Sequence, residues 1–208
     1  MSFIDLSKNE VHCKIVFYGP GRGGKTTNLL YLHRSMVESA RGKMVSIATK
    51  TDRTLFFDFL PLSLGTIRNL SIRIQLYTVP GQVMYDSTRK LVLKGVDGVV
   101  FVADSLAVQR EKNLESLENL RENLRGENTT LEDIPLVFQF NKRDLVGSGI
   151  LTLPVEDLEE SLNRGLGAPC FSASATQGDG VFETLRAISK LTVKSVTRKL
   201  LCRQPSRA

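Results

Sequence analysis

No stretch of this sequence is long and apolar enough to cross a bilayer: the longest candidate, residues 96–102, is short and carries Asp97. The first ten residues include acidic side chains and no long apolar run, which excludes a secretory signal and an arginine-rich transit peptide, so a cytoplasmic protein is expected. Cysteine is scarce. Cys13, Cys170 and Cys202 cannot all pair and no CxxC spacing is present, which excludes a disulfide framework and a thiolate metal site. Cys13 and Cys170 lie in apolar, strand-like runs and read as small buried hydrophobes. Aromatic–basic alternation is missing too, and the net charge of +6 is scattered through the body of the chain, which argues against a nucleic-acid partner. Only the end gathers positive charge, in Lys194, Arg198, Lys199, Arg203 and Arg207, without a terminal prenylation box. The expectation is one domain over residues 1–193 and a basic tail over 194–208 that extends the last helix, with no stable membrane insertion. Repeats and low-complexity tracts are absent.

What is present is a chain of 208 residues, enough for one full hydrophobic core, in which strand-like runs alternate with helix-period segments. Residues 11–18 read as a first strand, followed by a glycine-rich turn and a helix over 25–36 with Leu29, Leu32 and Met36 on one face. Residues 43–48, 70–79, 98–103, 134–140 and 169–171 read as further strands. Residues 111–125, 155–162 and a closing segment marked by Val181, Leu185, Ile188 and Thr192 read as helices. Residues 55–64, rich in Phe and Leu and broken by Pro61, take no clear assignment. The pattern predicts an α/β, three-layer fold: a mostly parallel central sheet with helices on both faces.

Directly after the first strand, Gly19-Pro20-Gly21-Arg22-Gly23-Gly24-Lys25-Thr26 fits the phosphate-binding pattern of a glycine, four residues, then Gly-Lys-Ser/Thr. The glycines allow backbone conformations that bring N–H groups to phosphate oxygens, and the helix that follows adds its positive end. Lys25 would bridge the terminal phosphates, and the Thr26 hydroxyl would go to Mg2+; Thr27 continues the cradle. Asn141-Lys142-Arg143-Asp144, at the end of an apolar strand, narrows the base to guanine. The Asp144 carboxylate can accept from the ring N–H and the exocyclic amine, whereas adenine offers no amine at that edge. The Lys142 stem can lie along the base, and Ser172-Ala173 can offer a backbone N–H to the guanine carbonyl. Thr78-Val79-Pro80-Gly81-Gln82 supplies hydrolysis: a Gly81 N–H for the γ-phosphate and a Gln82 side chain to orient the attacking water.

Together these motifs resemble the Ras-like small GTPases, and within them the bacterial MglA gliding-motility GTPases. The run from Cys13 to Gly21, the Gly24-Lys25-Thr26-Thr27-Asn28-Leu29 segment, residues 51–61, residues 77–82 and residues 93–105 carry the likeness. The resemblance implies GTP/GDP exchange, Mg2+, and a switch whose Arg53 reaches the transition-state charge beside Gln82, while Thr54 closes over the metal with Thr26. It implies a dimeric Roadblock-fold activating protein that props the switches without lending a catalytic side chain. It also implies effectors in the polarity or motility machinery, a monomer when free, and recruitment to a cell pole. Small GTPases usually carry aspartate where Thr78 stands; Asp52 or Asp58 would have to compensate. In such proteins the strand at residues 55–64 slides between nucleotide states. The rival readings are a nucleotide-gated scaffold with negligible hydrolysis and a P-loop kinase acting on a small metabolite, the latter disfavoured by Asn141 to Asp144.

Overall fold

The computed structural model describes residues 3–5, 8–48, 56–67, 69–82 and 85–201. Its strands are β1 (Phe3–Asp5), β2 (Glu10–Tyr18), β3 (Val45–Ala48), β4 (Phe56–Ile67), β5 (Leu70–Thr78), β6 (Gly98–Asp104), β7 (Leu136–Asn141) and β8 (Cys170–Ser172). The helices are α1 (Lys25–Ser35), α2 (Asp86–Leu93), α3 (Arg110–Arg125), α4 (Val155–Asn163) and α5 (Val181–Leu201). They form one sheet in the order β3-β4-β5-β2-β6-β7-β8, with β1 antiparallel to β2. From β5 to β8 all pairings are parallel, and β4 runs antiparallel to both β3 and β5.

Alternation decides which residues face which layer, because successive side chains of a strand point to opposite faces. Val11, Cys13, Ile15 and Phe17 of β2 join Leu29 and Leu32 of α1 and Leu185 and Ile188 of α5 in one core. Val16 and Tyr18 join the other, with Phe101, Phe138, and Leu117, Leu120 and Leu124 of α3. Strands β6 and β7 are buried along their whole length, as continuous apolar runs in a doubly covered sheet must be. The three-layer, mostly parallel architecture expected from the sequence is therefore the one observed.

Three elements differ from the expectation. β1 and α2 were not foreseen: β1 has only three residues, and the buried side of α2 holds Thr88 and Arg89 beside Val92 and Leu93, which masks its apolar period. Residues 56–64, unassigned from sequence, lie in the long strand β4. Its Pro61 is tolerated because β3 pairs only with Phe56 to Phe59, and the Pro61 carbonyl accepts from the Gly42 N–H at 2.9 Å. The β4–β5 register shifts between Ser63 and Thr66. At the end of the chain, α5 runs unbroken to Leu201, and Val196 is buried in the first core, beyond residue 193.

Candidate functional site

Parallel strands deliver their C-terminal ends to one edge of the sheet, and β2 lies where chain order reverses, between β5 and β6. The loops after β2, β5, β7 and β8 meet there. Residues 19–24 climb from β2 to α1, with Arg22 at φ 62° and Gly24 at φ 102°, both left-handed. Gly24 also has no room for a side chain: an added Cβ would lie 2.0 Å from Asn141 Nδ2. Helix α1 starts with no side-chain cap and no acidic residue in its first turn. A helix start of that kind leaves N–H groups for an anion.

Lys25 is buried, and its ammonium donates to the carbonyls of Gly19 (2.8 Å) and Pro20 (2.6 Å). Burial, and after it the charge of Arg89, pull its pKa down to about 7, against the opposing attraction of Asp58. Thr26 stands at the mouth of the first turn. Its hydroxyl donates to Asp58 Oδ2 at 2.6 Å, Ser46 Oγ donates to Oδ1 at 2.7 Å, and Thr78 Oγ1 donates to Oδ2 at 2.8 Å. Thr78 in turn accepts from the Asp58 N–H at 2.9 Å. Strand β4 thus carries a buried carboxylate to the spot beside Thr78. A cavity of about 380 Å³ opens between these groups, lined by Arg22, Lys25, Thr26, Asp58, Thr78 and Gly81 among others. Gly81 packs directly on the phosphate loop: an added Cβ would lie 2.2 Å from Gly21 Cα. Gln82 is exposed next to it.

The loop after β7 is tied to the phosphate loop through Asn141. Its Nδ2 donates to the Gly23 carbonyl at 2.8 Å, and its Oδ1 accepts from the Ala175 N–H at 2.8 Å. Lys142 turns at φ 70° and donates to the fully buried Asp104 at 2.6 Å, while Asp144 is exposed. Ser172 and Ala173 need a correction. The Ala173 N–H donates to the Phe140 carbonyl at 2.8 Å, so it is spent on the ladder and not available to a base. The next pair, Ser174-Ala175, lies against Asn141 and Gly24. The signal for it was present, since Ser-Ala occurs twice in succession, but only the strand register separates the two. Arg53 and Thr54 lie outside the described residues. The structure thus brings together residues 19–27, Gly81, Gln82 and Asn141 to Asp144.

Sequence reasoning missed the support beneath Gly81. Arg89, Asn119 and Asn123 have no motif to mark them, and their part emerges only from packing. Among the described residues no helix is long and apolar enough to cross a membrane, and no group of three or more His, Cys, Asp or Glu could hold a metal by itself.

The sequence model described as the ADP-ribosylation factor family matches residues 2–192. The chain is similar to the mutual gliding-motility protein MglA of Myxococcus xanthus (strain DK1622), with 54% identity over 198 residues that cover 95% of this chain and 99% of that protein.

Proposed function

This chain belongs to the ADP-ribosylation factor family of Ras-like small GTPases, which bind guanine nucleotide and hydrolyse GTP, and on that premise we propose that it is a GTP/GDP switch controlling bacterial polarity and surface motility. The observation that carries the reading is the Asn141 bridge between Gly23 and Ala175, which makes the guanine-reading loop and the phosphate loop one rigid pocket. Asp144 selects guanine through its amino edge. Residues 19–27 hold the phosphates, Lys25 meets the terminal ones, and the Ser174-Ala175 turn borders the base.

The donor set suits Mg2+. Thr26 and Asp58 are hard oxygen ligands, and one carboxylate with a hydroxyl is typical of a metal that keeps waters and takes the rest of its shell from phosphate. Mg2+ supplies charge neutralisation on the phosphates when bound. Asp58, oriented by Thr78, would take the part that an aspartate at position 78 plays elsewhere, and Thr54 would complete the set.

Gln82 orients the attacking water, Gly81 gives its N–H to the γ-phosphate, and Arg53 meets the developing charge. A dimeric Roadblock-fold activator arranges these groups, so turnover by the chain alone is slow. Residues 55–64 slide against β5 between states, and Lys194, Arg198 and Lys199 form a solvated basic face on the last helix of a monomeric domain, whose Val196 is still packed in the core. The relative's name supports the motility role; effectors in that machinery and recruitment to a cell pole belong to the proposal.

The test is GTP turnover by the full chain, with and without a Roadblock dimer, in wild type and Gln82→Leu. The expected result is strong stimulation of wild type and loss of about 100-fold or more in the variant, with GTP binding retained. Absence of stimulation, with tight GTP binding, would favour the scaffold reading instead.

A further inference from the structure

Arg89 heads the largest fully buried side chains among the described residues, and no carboxylate pairs with it there. Its nitrogens donate to neutral oxygens: Nε to the Pro80 carbonyl (2.9 Å), Nη2 to the Gly81 carbonyl (2.7 Å) and Nη1 to Asn119 Oδ1 (2.6 Å). A buried guanidinium without a counter-charge is costly unless every donor is met, so these carbonyls are not interchangeable with water. The guanidinium is a planar fork, and two consecutive carbonyls on one fork fix the peptide planes between them.

The peptide bond is planar and trans, so the carbonyl of Pro80 and the N–H of Gly81 point in opposite directions within one plane. Holding Pro80 O therefore aims the Gly81 N–H, and holding Gly81 O aims the chain into Gln82. The fork is itself anchored. Asn119 accepts from the Tyr18 hydroxyl and donates to Asp86 Oδ1 at 2.9 Å, and Asn123 donates to the same Asp86 oxygen at 3.0 Å and to Tyr18 Oη at 3.2 Å. The guanidinium also lies over the Tyr18 ring, 5.7 Å from its centroid. Tyr18 is the last residue of β2, directly ahead of the phosphate loop. One polar network thus joins β2, α2 and α3 to the carbonyls of Pro80 and Gly81.

We infer that Arg89 is a positioning residue for GTP hydrolysis: it clamps the Pro80 and Gly81 carbonyls to the Tyr18–Asn119–Asp86 network and so sets where the Gly81 N–H and Gln82 stand. It touches no substrate. The inference rests on the reading of Gly81 and Gln82 under Proposed function. GDP lacks the phosphate that Gly81 would meet, so the clamp acts on GTP and leaves GDP nearly untouched.

Arg89→Lys keeps the charge and loses the fork, and Asn119→Ala keeps the guanidinium and loosens its anchor. With fluorescent GDP and GTP analogues and single-turnover hydrolysis on the full chain, both variants are expected to bind GDP within about threefold of wild type. The same measurements should show the preference for GTP and the hydrolysis rate falling about tenfold or more. The Gly81 and Gln82 amides should exchange hydrogen faster in the GTP-analogue complex. If Arg89→Lys does not fold, Asn119→Ala decides. Wild-type rates and an unchanged GTP-to-GDP ratio in the folded variants would overturn the clamp, as would GDP and GTP binding falling in equal proportion. Gln82→Leu in the same assay is the control: if it hydrolyses at the wild-type rate, the underlying assignment of this loop fails, independently of Arg89.

Discussion

Lys25 holds its ammonium against two carbonyls in a pocket that burial and Arg89 make unfavourable for charge, and its pKa falls to about 7. Phosphate oxygens beside it favour the charged form, so nucleotide binding raises that pKa again. The sign follows. Below about pH 7 the lysine is already protonated and affinity is level; above it the empty protein must take up a proton to bind, and affinity falls by up to about tenfold per pH unit until the pKa of the complex is reached. The empty fold shows the opposite trend, gaining stability as pH rises from about 7, because the unfolded lysine still binds its proton there. Calorimetry of GDP binding in buffers of different ionisation enthalpy at pH 8 is expected to find close to one proton taken up. Finding none would show that Lys25 is charged in the empty site. The motif Gly-Lys-Thr was legible in the sequence, but this titration was not, since it depends on how deeply the fold buries the side chain.

At the scale of elements, α3 joins packing to the site. Leu117, Leu120 and Leu124 are buried at helical spacing in the second core, as their period predicted, while Asn113 makes the polar contact to Asp104, Asn119 the one to Arg89, and Asn123 those to Tyr18 and Asp86. Leu120→Ala removes a fully buried side chain from a strand-facing layer and is expected to cost about 2–5 kcal/mol in urea unfolding. Guanine selectivity should survive it, because no pocket residue is touched. A cost under about 1 kcal/mol would mean that the layer closes over the gap. Strand β4 illustrates what period alone does not reveal. Pro61 and the Phe-rich run obscured it, yet its residues bring Asp58 to Thr78 and Thr26, across elements far apart in sequence.

For the whole molecule, the site is assembled from loops that leave four different strands, so a ligand held by all of them stabilises the entire fold. With Mg2+ and GDP at a thousandfold excess over its dissociation constant, mass action adds about 4 kcal/mol, or about 10 °C in melting temperature for a domain of this size. ATP should give almost no shift; an equal shift with ATP would dismiss the guanine assignment. The fold class was determined by sequence, and the candidate phosphate loop, the Asn141 to Asp144 tetrapeptide and the Gly81-Gln82 pair were legible there, because each rests on local conformation or on a period that neighbouring residues express. The tertiary structure alone decided that Asp58 brings a buried carboxylate beside Thr78, that Ser174-Ala175 and not Ser172-Ala173 meets Asn141, and that Arg89 underpins Gly81. Those depend on strand register and on contacts between distant segments, and no local pattern encodes which buried donor will find which carbonyl.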